Sequence, residues 1–216
     1  LHQRSCRILI ADDHEAICRG VRTLLESREG WQIVAEASNG HDALRSARKD
    51  EPDVAVLDYS LPLMNGLELT RAIKRELPRT EVLIYTMHEK ERLVTEVLRA
   101  GARGYVLKSD ATSHLMSGVE ALGKGKPYFS PTISETVLDC FVDQNHSARG
   151  ATVLTARERE VVQLIAEGMI NKQVACTLDI SVKTVETHRA AIMEKLKLRT
   201  TAQLVLYAVR NSIVQP

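Results

Sequence analysis

Apolar residues gather along the first half of the chain into five short runs, at 7–11, 32–36, 53–57, 81–85 and 104–107. Ile8-Leu9-Ile10-Ala11, Val54-Ala55-Val56-Leu57 and Val82-Leu83-Ile84-Tyr85 carry no polar residue on alternate positions. Runs of this kind, rich in β-branched residues, predict strands buried on both faces, as in a parallel sheet. Between them, amphipathic helical patterns lie near 15–28, 40–50, 66–77, 89–100 and 112–122. Strands and helices alternating at this spacing imply right-handed crossovers and a sheet covered on both sides. The expected architecture for residues 1–123 is α/β: a (βα)5 doubly wound, flavodoxin-like domain with strand order 2-1-3-4-5.

The pattern then changes. Residues 124–150, from Lys-Gly-Lys-Pro-Tyr to His-Ser-Ala-Arg-Gly, mix Gly, Pro and Ser around one candidate helix at 132–142 and read as a linker. Residues 151–216 are helical in pattern. Thr155 with Glu158 makes a capping box opening a helix that Gly168 is placed to end. A short helix at about 171–178 comes next, Ser181 caps a third over 182–197, and Thr200 with Gln203 caps a fourth to about 211. The second domain is expected to be an all-α four-helix unit.

Composition agrees with two domains, since 216 residues allow each to bury its own core. The formal net charge is +1, but residues 1–149 hold 20 Lys+Arg against 22 Asp+Glu, and residues 150–216 hold 9 against 6. The positive excess lies in the last third. Cys6, Cys18, Cys140 and Cys176 have neither C-x-x-C spacing nor histidines at metal-ligand intervals, which argues against a disulfide framework or a zinc site. No apolar run approaches the roughly 18 residues that span a bilayer, and Leu-His-Gln-Arg-Ser lacks the apolar core of a signal peptide. A soluble, cytoplasmic protein with no membrane partner is expected. Position 1 is Leu rather than Met, as a trimmed chain would show.

The chemistry is carried by the polar residues at the strand ends. Asp12 and Asp13 close the first run, Asp58 the third, Thr86 the fourth and Lys108 the fifth. Ligand sites of open α/β sheets form at the carboxyl ends of the strands, so these residues converge. Three carboxylates, a hydroxyl and an ammonium have one joint use. The acids hold a divalent cation, while cation, hydroxyl and lysine neutralise a phosphoryl group carried by a carboxylate.

Residues 7–122 resemble the receiver domain of bacterial two-component response regulators, through Asp12-Asp13, Asp58 with Pro62 and Gly66 behind it, Thr86, and Tyr105-x-x-Lys108. Residues 152–213 resemble the LuxR-type helix-turn-helix domain, through Leu154-Thr155-x-Arg157-Glu158-x-Glu160-Val161, Asn171-Lys172 and Lys183-Thr184-Val185-Glu186-x-His188. Together they are similar to the NarL/FixJ class. The resemblance implies that Asp58 is the nucleophile that becomes an acyl phosphate. It implies Mg²⁺ held by Asp13, Asp58 and the Ser60 carbonyl, with Asp12 acting through water. Lys108 would pair with Asp58 at rest and with a phosphoryl oxygen afterwards. Thr86 would bind the phosphoryl group and let Tyr105 turn inward, the switch of the family. Pro62 and Gly66 shape the loop after Asp58. Tyr59 is bulkier than the aliphatics common beside the nucleophile, and with Met87 and His88 it bears on access of phosphodonor and hydrolytic water. His88 itself reads as a solvated loop histidine rather than a general base.

On the helix after Ser181, Val185, Ile192 and Leu196 mark a buried stripe, and Lys183, Glu186, Thr187, Ala190 and Glu194 face the other way. In a helix-turn-helix the amino-terminal half of this helix enters the major groove. Lys183 suits guanine, Glu186 the cytosine amino group, and Thr187 or Ala190 a thymine methyl. Thr184, His188, Arg189 and Lys172 suit phosphates. Ile170 stands where the family often has a small polar cap, with Asn171 as a substitute. Leu204, Val205 and Ala208 suit either a dimer patch or the core. The expected partners are a sensor histidine kinase, double-stranded promoter DNA and a second copy of the chain on paired half-sites, with RNA polymerase as a further candidate.

Two other readings compete. A phosphatase resembling the haloacid dehalogenase family needs a second acid two residues after the nucleophile, and that position is Ser60. An adaptor would signal by protein contact alone, with no DNA bound.

Overall fold

The computed structural model describes residues 5–142 and 154–214. They fall into two compact units, one on each side of the undescribed stretch.

The first unit runs β1 (Cys6–Ala11), α1 (Glu15–Glu26), β2 (Trp31–Ala37), α2 (Gly40–Asp50), β3 (Val54–Leu57), α3 (Gly66–Glu76), β4 (Glu81–Thr86), α4 (Glu91–Arg99), β5 (Gly104–Leu107), α5 (Thr112–Gly123), β6 (Tyr128–Phe129) and α6 (Pro131–Val142). The sheet is wholly parallel, in the order β2-β1-β3-β4-β5-β6. Its central strands are buried on both faces, as their unbroken apolar runs require. Leu9, Ala11, Ala55, Leu57, Val82 and Ile84 point to the core under α2, α3, α4 and α6. Ile8, Ile10, Val54, Val56 and Leu83 point to the core under α1 and α5.

Strand order 2-1-3-4-5 stands as expected, but the sheet has a sixth strand. Residues 128–142, which read in the sequence as part of a linker, form β6 and α6. Gly104 pairs with Tyr128 and Tyr105 with Phe129, and Ser130 N donates to the Tyr105 carbonyl at 3.1 Å. Ile133 and Val137 of α6 enter the same core as Tyr105 and Val94. A helical i, i+4 apolar pair explains why α6 docks instead of remaining in solvent.

The second unit holds α7 (Ala156–Ala166), α8 (Asn171–Thr177), α9 (Val182–Lys195) and α10 (Thr201–Arg210). The capping box is present: Glu158 N donates to Thr155 Oγ1 at 3.2 Å, and Thr155 N donates to Glu158 Oε2 at 2.8 Å. Gly168 ends α7 at φ +92°, a conformation that favours glycine. Glu158 also receives Lys195 Nζ at 2.7 Å, tying the start of α7 to the end of α9. Burial works to raise that carboxyl's pKa, but Lys195 and Thr155 outweigh it and hold the group below the usual range. Val161, Val185, Ile192, Leu204 and Ala208 are fully buried between the helices. Leu204 and Ala208 are thus core, whereas Leu206 is exposed. Leu196, which the sequence pattern places in the buried stripe, caps the end of α9 and is half-buried.

Candidate phosphoryl site and nucleic-acid interface

The carboxyl ends of β1, β3, β4 and β5 bring the expected residues together. Backbone pairing continues one residue past each strand: Asp58 N donates to the Ala11 carbonyl at 2.8 Å, and Lys108 N to the Thr86 carbonyl at 2.8 Å. This carries the side chains over the strand ends. Lys108 Nζ lies 2.8 Å from Asp58 Oδ2 and 2.6 Å from Asp12 Oδ2, and all three side chains are buried. Burial pushes the Lys108 ammonium down, but the two carboxylates outweigh it and raise its pKa above the usual lysine value. The ammonium stays charged and cancels part of the acidic cluster.

Ligand atoms of Asp12, Asp13, His14 and Asp58 all lie within 4.8 Å of one another. His14 is an addition to the residues that the sequence pattern marks. Its Nδ1 is 2.9 Å from Asp13 Oδ1, and its backbone N donates to Asp12 Oδ1 at 2.9 Å. Its position next to the acidic pair is the one signal the sequence carries for it. The three carboxylates are hard oxygen donors that suit Mg²⁺, while the imidazole is softer. Thr86 is also buried, and among the described residues its Oγ1 has no hydrogen-bond partner. A buried hydroxyl left so is costly unless a ligand satisfies it.

The loop after Asp58 is held by Gly66, whose N donates to the Tyr59 carbonyl at 2.8 Å. A Cβ on Gly66 would lie 2.3 Å from the Asp58 carbonyl oxygen, so the loop requires glycine. His88 differs from its sequence reading. It is half-buried, its Nε2 is 2.8 Å from Ser60 Oγ, and the Tyr59 ring meets it edge-on at 5.5 Å between centroids. Burial lowers its pKa, which favours the neutral ring. The loops after β3 and β4 are therefore joined beside the acceptor carboxylate. Tyr105 is fully buried and inward, its hydroxyl donating to the His88 carbonyl at 2.6 Å.

In the second unit, Lys183, Glu186, Thr187, Ala190 and Glu194 form an exposed face of α9 opposite buried Val185 and Ile192, as expected. Lys183 Nζ rests 3.7 Å from Glu186 Oε2. Lys172 is exposed on the first turn of α8, and Thr184 and His188 are half-buried at the edge of the α9 face. Arg189 has another engagement: Nη1 donates to Asn171 Oδ1 at 2.7 Å and Nη2 to Thr201 Oγ1 at 3.0 Å. It braces α9 against α8 and α10. Asn171 is consequently not the substitute cap. At that helix start Ile170 offers no side-chain acceptor, and only the reverse half of a capping box forms, with Ile170 N donating to Gln173 Oε1 at 2.9 Å.

Comparison with known proteins agrees with both units. The response regulator receiver domain family matches residues 8–120, and the luxR family of bacterial regulatory proteins matches residues 152–208. The oxygen regulatory protein NreC of Staphylococcus haemolyticus is 36% identical over 96% of this chain and 99% of its own length. The NreC of Staphylococcus carnosus is 35% identical over the same shares. A LuxR-family response regulator from Aurantimonas sp. superposes with a TM-score of 0.61 at 36% identity, over 64% of this chain and 99% of that one. RcsB from Salmonella enterica serovar Typhimurium, solved bound to promoter DNA with phosphomimetic BeF3−, gives a TM-score of 0.60 at 28% identity, over 94% of this chain and 98% of that one. With a receiver and a LuxR-type helical domain matched in the same order along nearly its whole length, the chain belongs to the NarL/FixJ-type two-component response regulators.

Proposed function

We propose that Asp58 accepts a phosphoryl group from a sensor histidine kinase, and that this event controls sequence-specific binding of promoter DNA by α9. The observation that carries the reading is the buried Lys108 ammonium bridging Asp58 and Asp12 on the strand next to the unpartnered Thr86 hydroxyl. In the transfer, an Asp58 carboxylate oxygen forms a bond to phosphorus as the phosphorus–nitrogen bond of phosphohistidine breaks and the leaving imidazole takes a proton. Asp12, Asp13, Asp58 and the Ser60 carbonyl would hold Mg²⁺, which supplies charge neutralisation for attack by one anion on another. Lys108 then moves with the charge from Asp58 to a phosphoryl oxygen, and Thr86 Oγ1 donates to another. Tyr105, held inward on the His88 carbonyl, is the side chain through which the loop after β4 reports the change.

On DNA, Lys183, Glu186, Thr187 and Ala190 would meet base edges, and Lys172, Thr184 and His188 the phosphates, while Arg189 braces α9 through Asn171 and Thr201. One such helix reads a short half-site, so the chain acts as a homodimer, with RNA polymerase as the expected downstream contact. Among the described residues no helix is long and apolar enough to cross a membrane. The DNA-binding role is what supports a cytoplasmic location.

The test is incubation with a small acyl phosphate and Mg²⁺, then mass spectrometry and a gel shift on selected genomic fragments. One phosphate at Asp58 and tighter DNA binding are expected. Undiminished phosphate on Asp58→Asn would overturn the acceptor assignment, and the absence of any DNA shift would favour the adaptor reading.

A further inference from the structure

Residues beyond α5 are built into the phosphoryl-responsive half of the first unit by three ties. The first is the sheet: Phe129 pairs with Tyr105, and Ser130 N donates to the Tyr105 carbonyl at 3.1 Å. The second is Asp110. Its Oδ2 accepts from Leu107 N at 3.0 Å, one residue before Lys108, and its Oδ1 accepts from Thr132 Oγ1 at 2.9 Å on the first turn of α6. The third is packing. α6 lies against α4 and β5, and its Ile133 and Val137 share one buried cluster with Tyr105, Leu93, Val94 and Val97.

We infer that α6 is the element through which phosphorylation leaves the receiver, by docking more tightly onto α4 and β5 when Asp58 is phosphorylated. The inference rests on Asp58 being the acceptor. A two-state element can respond only through contacts that differ between its states. Thr86 Oγ1 is the donor that gains a partner, and its loop carries the His88 carbonyl that fixes Tyr105 inward. Drawing that loop toward the phosphoryl group holds Tyr105 in place, and Tyr105 is part of the wall on which Ile133 and Val137 rest. The start of α4 at Glu91 lies three residues beyond His88, so the helix that α6 packs on moves with the same loop. The chain reaches its LuxR-type domain only after α6.

Hydrogen–deuterium exchange on the full chain reads this directly. With an acyl phosphate and Mg²⁺, amides of α6 should exchange roughly fivefold or more slowly, the lower end of ordinary coupling between sites. Tyr105→Phe, which loses the tie to His88, should remove the slowing while still taking up phosphate. Thr132→Val, a surface change that spares the core, should lessen both the slowing and the phosphate-dependent gain in DNA affinity. Unchanged or faster α6 exchange in a chain shown to carry phosphate on Asp58 overturns the inference. So does Thr132→Val with loosened α6 but a wild-type gain on DNA. If no phosphate reaches Asp58, it is the acceptor assignment that fails. If α6 slows but DNA affinity does not change in the wild type, it is the DNA-binding reading that fails, and α6 stands as the responsive element.

Discussion

The phosphoryl site and the DNA-facing side of α9 are both charged, but they are held in opposite ways. At the strand ends, the side chains of Asp12, Asp58 and Lys108 are buried and satisfied by one another, and the loop behind them tolerates no side chain at position 66. On α9, Lys183, Glu186, Thr187 and Ala190 are exposed, and among the described residues Lys183 forms an ion pair only with its neighbour Glu186, at 3.7 Å. Buried charges must be matched almost atom by atom, since an uncompensated one costs several kcal/mol. Exposed side chains cost nothing to leave unmatched, and exposed ion pairs stabilise little. The first region is therefore a preorganised chemical site, and the second is a set of donors and acceptors that DNA must order.

Changes at the first region should accordingly have the largest effects. Asp13→Ala should abolish Mg²⁺-dependent phosphorylation, because the cation needs carboxylate ligands to displace its tightly held water. Asp12→Ala should weaken it less. Calorimetry showing wild-type Mg²⁺ affinity in the Asp13 variant would remove that residue from the site. Thr86→Ala comes next in size: the acceptor and its counter-ions remain, so phosphate should still be taken up, while the phosphorylated variant should gain less DNA affinity than phosphorylated wild type. An equal gain would break the link between the unpartnered hydroxyl and the response. Gly66→Ala should be felt as strain. Its Cβ would overlap the Asp58 carbonyl, so thermal denaturation should show a loss of about 1–3 kcal/mol, the usual scale of overpacking.

The same contrast explains what can be read from the sequence. Two-faced burial writes itself into unbroken apolar runs, so β1, β3, β4 and β5 and the residues at their ends are legible, as are the capping box of α7 and the Thr200 cap of α10, where the Gln203 side chain accepts from Arg199 N and leaves the second half of the box unmade. A two-residue edge strand next to Gly-Lys-Gly-Lys-Pro has no periodicity to read, and β6 therefore looks like linker. His88 and Arg189 escape a sequence reading for a common reason. Each is fixed by partners distant in sequence: Ser60 for His88, and Asn171 and Thr201 for Arg189. Local pattern says which side of a helix or loop a residue occupies, but not what the chain brings up against it.

On the groove face, effects should be confined to single bases. Substituting Lys183, Glu186 or Thr187 should alter which base is preferred, at a cost of about 1–3 kcal/mol at the affected pair. Binding-site selection on each variant checks this. An unchanged consensus for all three would mean that α9 enters the groove with another rotation.

The finest test compares two cations of the second unit that sequence alone treats alike. Lys172 is exposed, whereas the Arg189 guanidinium is occupied by Asn171 and Thr201. A lysine that neutralises one phosphate releases roughly one counterion, so Lys172→Ala should weaken all sequences alike and flatten the salt dependence of binding by about 0.9 in log–log slope. It should leave thermal stability nearly unchanged, because among the described residues the Lys172 side chain makes no hydrogen bond or ion pair. Arg189→Ala should do the reverse. It deletes two hydrogen bonds between helices, with a cost on the order of 1 kcal/mol each, so the melting temperature should fall while the salt slope changes little. Titrations at two salt concentrations, with melting curves on the same samples, separate the two. If Arg189→Ala flattens the slope as much as Lys172→Ala and melts like the wild type, its tie to α8 and α10 opens on DNA. Arg189 would then belong with the exposed residues of α9 rather than with the committed charges of the phosphoryl site.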